Sequence, residues 1–249
     1  MDLEEPKIIF CGLDHALCRA WEEAIVSTPL PIAWDVRHQD IVTLECTAAV
    51  SPANSFGFMD GGVDLAYSRH FGWHVQERLQ KAIQDMKFSE LLVGQALAVE
   101  TDCRQIPWLI AAPTMRVPGQ ILDSTAVFLA ARAAMRCAIE HEMDTVAFPG
   151  MGTGTGGVRY EVAAKMIILG CLAAIKPQTF PRSLRELLEI GGKNTLFMSL
   201  TPSDYTAKMV DICALPVKNN LHCPHCANKK ICRKPIPQPL QLLAQQIQQ

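Results

Sequence analysis

Two stretches of the sequence combine glycines with side chains that could do chemistry. SPANSFGFMDGGVD (51–64) places Asn54 and Asp64 ten residues apart, at the two ends of a loop that contains three glycines. An amide can hold a polar ligand group, and a carboxylate can accept a proton during catalysis. MGTGTGGV (151–158) has four glycines within six residues, and such loops bring anions close to backbone N–H groups. Together the stretches predict an anion site with an acid–base group beside it.

Each glycine loop lies between an apolar run and a helical pattern. TAAVSPAN (47–54) leads into the first loop, and residues 63–86 follow it with helical spacing that is interrupted near Gly72. DTVAFPG (144–150) leads into the second loop, and an apolar helix is expected to begin near Arg159 or Tyr160. Ligands of parallel α/β sheets bind beyond the carboxyl ends of the strands. We therefore expect both loops to border one cleft.

The other elements alternate in the same way along the chain. Apolar runs at 7–13, 91–101 and 106–115 predict strands, and helical patterns cover 15–26, with Asp14 as the cap, and 124–142. This alternation predicts an α/β fold, a three-layer α/β/α sandwich around a mixed, largely parallel sheet. The pattern weakens after Lys176, so we expect one domain over 1–176 and a small C-terminal extension over 177–249.

Composition narrows the classes of partner. The 249 residues are 49% hydrophobic and 19% charged, which is enough apolar material for a sizeable core. A net charge of −2 gives no basic field, so nucleic acid is disfavoured as a partner without being excluded. No secretion signal and no run of 18 apolar residues is visible, which predicts a cytoplasmic protein with reduced cysteines and no membrane partner.

Two common nucleotide motifs are disfavoured, whereas three segments together fit another family. The first loop lacks the G-x-G-x-x-G spacing, and neither loop has the Lys-Ser/Thr of a P-loop. QDIV (39–42) resembles the motif G-D-I-T, and VSPANSFGFMDGGVD (50–64) resembles V-N-A-A-N followed by a glycine loop ending in V-D. FPGMGTGTGGV (148–158) resembles F-P-x-x-G-T-G-x-x-G. From about Lys7 to Ile175 the chain resembles a macrodomain, the ADP-ribose-binding family.

The resemblance implies a ligand, an activity and a set of residue roles. It implies binding of ADP-ribose or a derivative, on its own or on an ADP-ribosylated macromolecule, and it favours hydrolysis of an ADP-ribosyl linkage. Asp40 matches the aspartate that contacts the adenine amino group, and Asn54 matches the asparagine at the distal ribose. The implied ligand-binding residues are Asp40, Ile41, Asn54, Gly61, Gly62, Val63, Gly152, Thr153, Gly154, Thr155, Gly156, Gly157 and Val158.

Asp64 has two compatible interpretations. As a structural residue it is an N-cap or a first-turn acid, which the helix dipole favours. As a functional residue it resembles the aspartate that MacroD-type hydrolases use near the distal ribose, where it positions or activates a water. Asn54 and Asp64 are therefore the predicted catalytic pair.

Several positions depart from the family pattern. Ser51 replaces the first asparagine, Asp60 stands where a glycine is usual, and Val158 stands where many active members have an aromatic ring. The histidine of the family's central I-H-x-V-G-P strand is also absent from LIAAPTM (109–115). Ser51, Val158 and this missing histidine favour an alternative, a non-catalytic reader or scavenger of ADP-ribose or a related NAD-derived nucleotide. The apolar side chains of Phe58 and its neighbours either pack under the first loop or form a lid over the ribose.

A cysteine cluster near the C-terminus carries a separate hypothesis. LHCPHCANKKICRKP (221–235) has one C-P-x-C pair, a spacing that suits tetrahedral zinc. The candidate ligands are Cys223, Cys226, Cys232 and His222, which would form a structural zinc knuckle over 222–232, and His225 or Cys213 could take the place of His222 as the fourth ligand. The alternative is a loop of reduced cysteines, since a second clear pair is missing. No cofactor is expected for the domain over 1–176.

Overall fold

A computed structural model describes residues 5–175, and within them six strands form one sheet. The strand order is β2-β1-β6-β3-β5-β4, and neighbouring strands are parallel except for the antiparallel pair β4 and β5. The predicted mixed, largely parallel sheet is confirmed. The strands are β1 (Lys7–Gly12), β2 (Trp34–His38), β3 (Ala48–Ser51), β4 (Leu97–Glu100), β5 (Trp108–Ala111) and β6 (Thr145–Phe148).

The helices follow the predicted pattern. Asp14 caps the first helix by accepting a 2.8 Å hydrogen bond from the backbone N–H of Ala16. The helical pattern over 63–86 divides at Gly72, whose φ of +100° lies outside the helical range. The described helices are α1 (His15–Ser27), α2 (Gly62–Phe71), α3 (His74–Gln84), α4 (Thr125–Glu140) and α5 (Tyr160–Ile175).

Alternating side chains of β1 show how the layers form. Phe10 points to one face, where its ring lies 5.7 Å from that of Trp21 on α1. Ile9 points to the other face and belongs to a buried cluster with Tyr67 of α2 and Leu79 of α3. Fully burying one such side chain stabilises the fold by about 1.5–3 kcal/mol. Both faces of the sheet are therefore covered, which gives the predicted three-layer sandwich.

The predictions for the C-terminal extension concern residues that the structure does not describe. These are the boundary at 176 and the zinc ligands between His222 and Cys232. Within residues 5–175, no group of three histidine, cysteine or acidic side chains is arranged to hold a metal ion. None of the helices in this range is long and apolar enough to cross a membrane.

Candidate functional site

A cleft of about 510 Å³ lies at the edge of the sheet where the parallel strands end. Its volume falls within the range of small-molecule sites, about 300–1,000 Å³. It is lined by residues that follow β1, β2, β3, β5 and β6, so all five parallel strands contribute to it. Both glycine loops border this cleft, as their shared strand–loop–helix context predicts.

The side chain of Asn54 organises the first loop. Its Oδ1 accepts hydrogen bonds from the backbone N–H of Phe56 (3.1 Å) and of Phe58 (3.4 Å). Its Nδ2 donates to the backbone carbonyl of Phe58 at 2.9 Å. Asn54 also lines the cleft, although it is 7% exposed. It therefore holds the loop in shape and lies beside the space a ligand would occupy.

The apolar residues of the first loop divide between the two predicted arrangements. Met59 is fully buried, and its backbone is held by Gln76 Oε1 at 2.7 Å and by the hydroxyl of Ser68 at 2.8 Å. Phe58 is 54% exposed and lines the cleft. Met59 thus packs under the loop, while the ring of Phe58 forms part of the wall.

The start of α2 presents backbone donors to the cleft. Gly61 caps the helix without a side-chain hydrogen bond, and Gly61, Gly62 and Val63 all line the cleft. The first N–H groups of a helix have no partner within the helix, and the helix dipole favours an anion there. This end of α2 is therefore suited to a phosphate group.

Asp64 lies in the first turn of α2 and combines burial with access to the cleft. It is 7% exposed and lines the cavity, and its Oδ1 accepts a 2.5 Å hydrogen bond from the hydroxyl of Ser51. Burial raises the pKa of Asp64 to about 7, and the hydrogen bond from Ser51 opposes that rise. A carboxyl group that titrates near neutral pH can both accept and donate a proton.

Asp40 lies at another part of the cleft and has a structural role as well. Its Oδ1 accepts a 3.2 Å hydrogen bond from the N–H of Val42 and caps a 3-10 helical turn, Ile41–Thr43. Asp40 and Ile41 both line the cleft. Because the cap uses one carboxylate oxygen, it leaves room for a ligand contact at the other.

The second loop contributes backbone rather than functional side chains. Residues 152–156 line the cleft, whereas Gly157 and Val158 lie outside the lining. The N–H of Val158 donates to the carbonyl of Gly152 at 3.0 Å, and the valine side chain is 7% exposed. This bond turns the chain back on itself, so Val158 packs beneath the loop instead of facing the cleft.

The charge of the cleft constrains how it could hold an anion. Among the described lining residues, four are aspartates and none is lysine, arginine or histidine. The hydroxyl of Tyr160 donates to Oδ2 of Asp14 at 3.0 Å across one end of the cleft. Hydrogen bonds from the Ala16 N–H and from Tyr160 lower the pKa of Asp14. An anion would thus have to bind mainly to backbone N–H groups.

Sequence patterns did not indicate two of these contacts. Ser51 stood out as a departure from the family pattern, but its bond to Asp64 depends on how α2 lies against β3. Asp14 and Tyr160 are 146 residues apart and meet because α1 and α5 begin at the same edge of the sheet. Asp14 was recognisable as a helix cap, and nothing in its spacing indicated a partner.

Comparisons with known proteins agree with this geometry. The family model described as "Macro domain" matches residues 50–167. An uncharacterized protein of Aquifex aeolicus is 36% identical over 129 residues, which cover 51% of this chain and 74% of that protein. The chain belongs to the macrodomain family. A second relative, an uncharacterized protein of Aeropyrum pernix, is 32% identical over 51% of this chain and 64% of its own length.

A solved structure shares the macrodomain fold. It is a mutant of the Oceanobacillus iheyensis macrodomain, determined with ADPR. The TM-score is 0.51 at 14% sequence identity, and the match covers 80% of this chain and 97% of that one. At this identity the likeness concerns the fold alone.

Proposed function

We propose that this macrodomain binds ADP-ribose or an ADP-ribose derivative and hydrolyses an ADP-ribosyl linkage on a modified macromolecule. The observation that carries the proposal is Asp64, a buried carboxyl group that titrates near neutral pH on the wall of a cleft between two glycine loops. Membership of the macrodomain family supports the choice of ligand, as does the ADPR in the Oceanobacillus iheyensis structure.

The lining suggests how the ligand lies. The adenine would contact the free carboxylate oxygen of Asp40 and the backbone of Ile41. The diphosphate would lie between the start of α2 and residues 152–156, where backbone N–H groups replace basic side chains. The distal ribose would then lie beside Asn54 and Asp64, near the end of β3.

The proposed reaction is a displacement by water at the anomeric carbon of the distal ribose. Ionised Asp64 accepts one proton of the water while the water oxygen forms a bond to this carbon. The bond from the carbon to the oxygen or nitrogen of the macromolecule breaks, the leaving atom takes up a proton from solvent, and Asp64 returns the proton that it accepted to solvent. The products are free ADP-ribose and the unmodified macromolecule. No cofactor takes part in this scheme.

Two observations favour the alternative of a reader or scavenger without turnover. The amide of Asn54 is already bonded to its own loop, so it is less available to a ribose hydroxyl. Val158, where many active members have an aromatic ring, packs beneath the second loop. In that case Asp64 would serve binding and the architecture of α2, and ADP-ribose would bind without reaction.

Calorimetric titration with ADP-ribose tests the binding part. We expect wild-type protein to bind, and Asp40→Ser to bind at least tenfold more weakly. Serine is a good cap, so this variant keeps the 3-10 turn and loses the reach of the carboxylate. Equal affinity of the two proteins for ADP-ribose would contradict the placement of the adenine.

Release of ADP-ribose from a mono-ADP-ribosylated protein tests the catalytic part. Loss of a positioned acid–base group typically costs about 10²–10⁴-fold in rate, so Asp64→Asn should lose turnover while still binding ADP-ribose. Wild-type protein that binds tightly yet releases nothing from ester-linked, N-linked and serine-linked substrates would establish the reader instead.

A further inference from the structure

The hydroxyl of Ser51 reaches Asp64 from a rigid position. Ser51 is the last residue of β3 and is fully buried. Its backbone pairs with Ala111 of β5, and its carbonyl accepts a 2.9 Å hydrogen bond from the N–H of Ala112. The direction of the side chain is therefore set by the sheet.

The helix that carries Asp64 is anchored to the same strand. Tyr67, one turn further along α2, donates its buried hydroxyl to the carbonyl of Val50 at 3.1 Å. Val50 and Ser51 are adjacent residues of β3, so the end of this strand fixes α2 at two points. The 2.5 Å contact between Ser51 Oγ and Asp64 Oδ1 is thus formed by two elements that cannot easily move apart.

Few other groups can influence the charge of Asp64. From its own helix it faces Tyr67, whose pKa burial raises well above the ordinary value, so that the phenol stays neutral. The other titratable groups that line the cleft are the carboxyl groups of Asp14, Asp40 and Asp60, the buried thiol of Cys11 and the phenol of Tyr160. All of these are neutral or negative. Within the described residues, the Ser51 hydroxyl is the donor that stabilises the ionised carboxylate.

We propose that Ser51 is a positioning residue, whose hydroxyl orients the carboxylate of Asp64 and keeps it ionised for the reaction. This inference rests on the proposed hydrolysis for its catalytic meaning. Ser51 departs from the asparagine of the family motif, and the geometry gives the serine a function of its own. The hydroxyl holds one carboxylate oxygen of Asp64, which leaves the other to accept a proton from a water in the cleft.

The competing explanation is that the bond only ties α2 to β3. If the bond is only structural, its loss lowers the stability of the fold. If Ser51 is a positioning residue, the loss of its hydroxyl also changes the pH at which Asp64 ionises. Hydrogen bonds to charged groups are strong enough to move that pH by about 1 pH unit. The midpoint of the carboxyl titration therefore separates the two explanations.

The experiment is a carbon-13 NMR titration of full-length protein labelled at the aspartate carboxyl carbons. The Asp64 resonance is identified by its absence from Asp64→Asn. The midpoint is then compared between wild type, Ser51→Ala and Ser55→Ala. Ser55 is the matched control, because it is 1% exposed, its hydroxyl has no partner among the described residues, and it lies outside the cleft.

We expect the Asp64 midpoint to rise by about 1 pH unit in Ser51→Ala and to stay unchanged in Ser55→Ala. The acidic limb of the pH–rate profile should move by the same amount, with the ADP-ribose affinity nearly unchanged. Ser51→Cys puts a slightly larger side chain with a weaker donor at the same position and should shift the midpoint less, in the same direction. This variant replaces Ser51→Ala if the alanine protein does not fold.

An unchanged Asp64 midpoint in folded Ser51→Ala would overturn the proposal. The same is true of an equal shift in Ser55→Ala, which would mean that any buried substitution in this segment moves the midpoint. If wild-type protein shows no hydrolysis, the proposed function fails. The NMR comparison still decides whether Ser51 sets the ionisation of Asp64.

Discussion

The two glycine loops of the cleft are built in different ways. Side chains hold the first loop, since Asn54, Ser68 and Gln76 all bond to its backbone. The backbone of the second loop holds itself, through the bond from the Val158 N–H to the Gly152 carbonyl. The first loop therefore brings polar side chains to the cleft, whereas the second loop lines it with backbone.

The glycines of the loops are also required for different reasons. A Cβ atom on Gly156 would lie 2.5 Å from the carbonyl oxygen of Gly152 and 2.7 Å from Cδ1 of Ile121, so this glycine is required by packing. A Cβ atom on Gly61 or Gly154 would meet nothing within 4 Å. Those two glycines line the cleft, where the open space could admit a ligand. The same residue type is thus required by packing at one position and leaves space in the cleft at another.

The largest predicted effect concerns Asp64, whose carboxyl group lies in the first turn of α2, directly after the first loop. Its pKa is raised from 3.8 to about 7 on folding, so the folded protein binds a proton that the unfolded chain has released over this range. Wild-type stability should therefore fall as pH rises from about 4 to about 7, by up to roughly 4 kcal/mol from this group. Urea unfolding of wild type and of Asp64→Asn at several pH values between 4 and 7 measures this change in the free energy of unfolding.

The comparison with Asp64→Asn isolates this group from the other carboxyl groups. Asparagine has no charge to bury, so the variant should gain stability relative to wild type as pH rises and keep the gain above pH 7. A difference in unfolding free energy that stays constant between pH 4 and pH 8 would show that Asp64 titrates normally.

The second prediction concerns the packed glycine of the second loop. Gly156→Ala forces a methyl group against backbone, and overpacking of this kind costs about 1–3 kcal/mol. For a chain of this size the melting temperature should fall by roughly 2–10 °C, with ADP-ribose binding lost as the loop shifts. Differential scanning calorimetry with and without ADP-ribose checks both effects. An unchanged melting temperature would mean that the loop adapts easily.

The contrast between the loops also shows what the sequence could predict. The helix boundaries could be predicted from the sequence. The cap at Asp14, the break at Gly72 and the start of α5 at Tyr160 all follow from residues close in the chain. The parallel sheet followed from the alternation of apolar runs and helices. The antiparallel edge strand β4 was expected as a strand, but its direction depends on pairing that no local pattern carries.

The direction in which these side chains point could not be predicted from the sequence. Val158 has the position of a ligand-facing residue in the motif, yet a backbone bond within the loop turns it into the core. Phe58 and Met59 are adjacent apolar residues, and the burial of Met59 in the core beneath the first loop decides which one reaches the cleft. The directions of these side chains depend on tertiary contacts, which residue type and spacing in the sequence do not predict.

The third prediction uses the open glycine of the second loop. Gly154→Ala adds a methyl group where nothing lies within 4 Å, so stability should change by less than about 0.5 kcal/mol. The methyl group would occupy space where a diphosphate approaches the backbone, so ADP-ribose affinity should fall roughly tenfold. Calorimetric titration measures this loss, with Gly61→Ala as the equivalent change in the first loop. Unchanged affinity in both variants would move the diphosphate elsewhere in the cleft.

The smallest predicted effect concerns Asp60, the carboxylate that the first loop places on the cleft wall where the macrodomain motif has glycine. A unit charge near a solvated phosphate is worth about 1 kcal/mol at close range, and salt screens it. Asp60→Asn should therefore tighten ADP-ribose binding by about two- to fivefold at low salt. Asp85→Asn, which makes the same charge change at the end of α3, should have no such effect. If Asp60→Asn and Asp85→Asn have equal affinities for ADP-ribose at 20 mM salt and again at 500 mM salt, the carboxylate of Asp60 points away from the ligand. In that case backbone donors alone determine how the first loop binds phosphate.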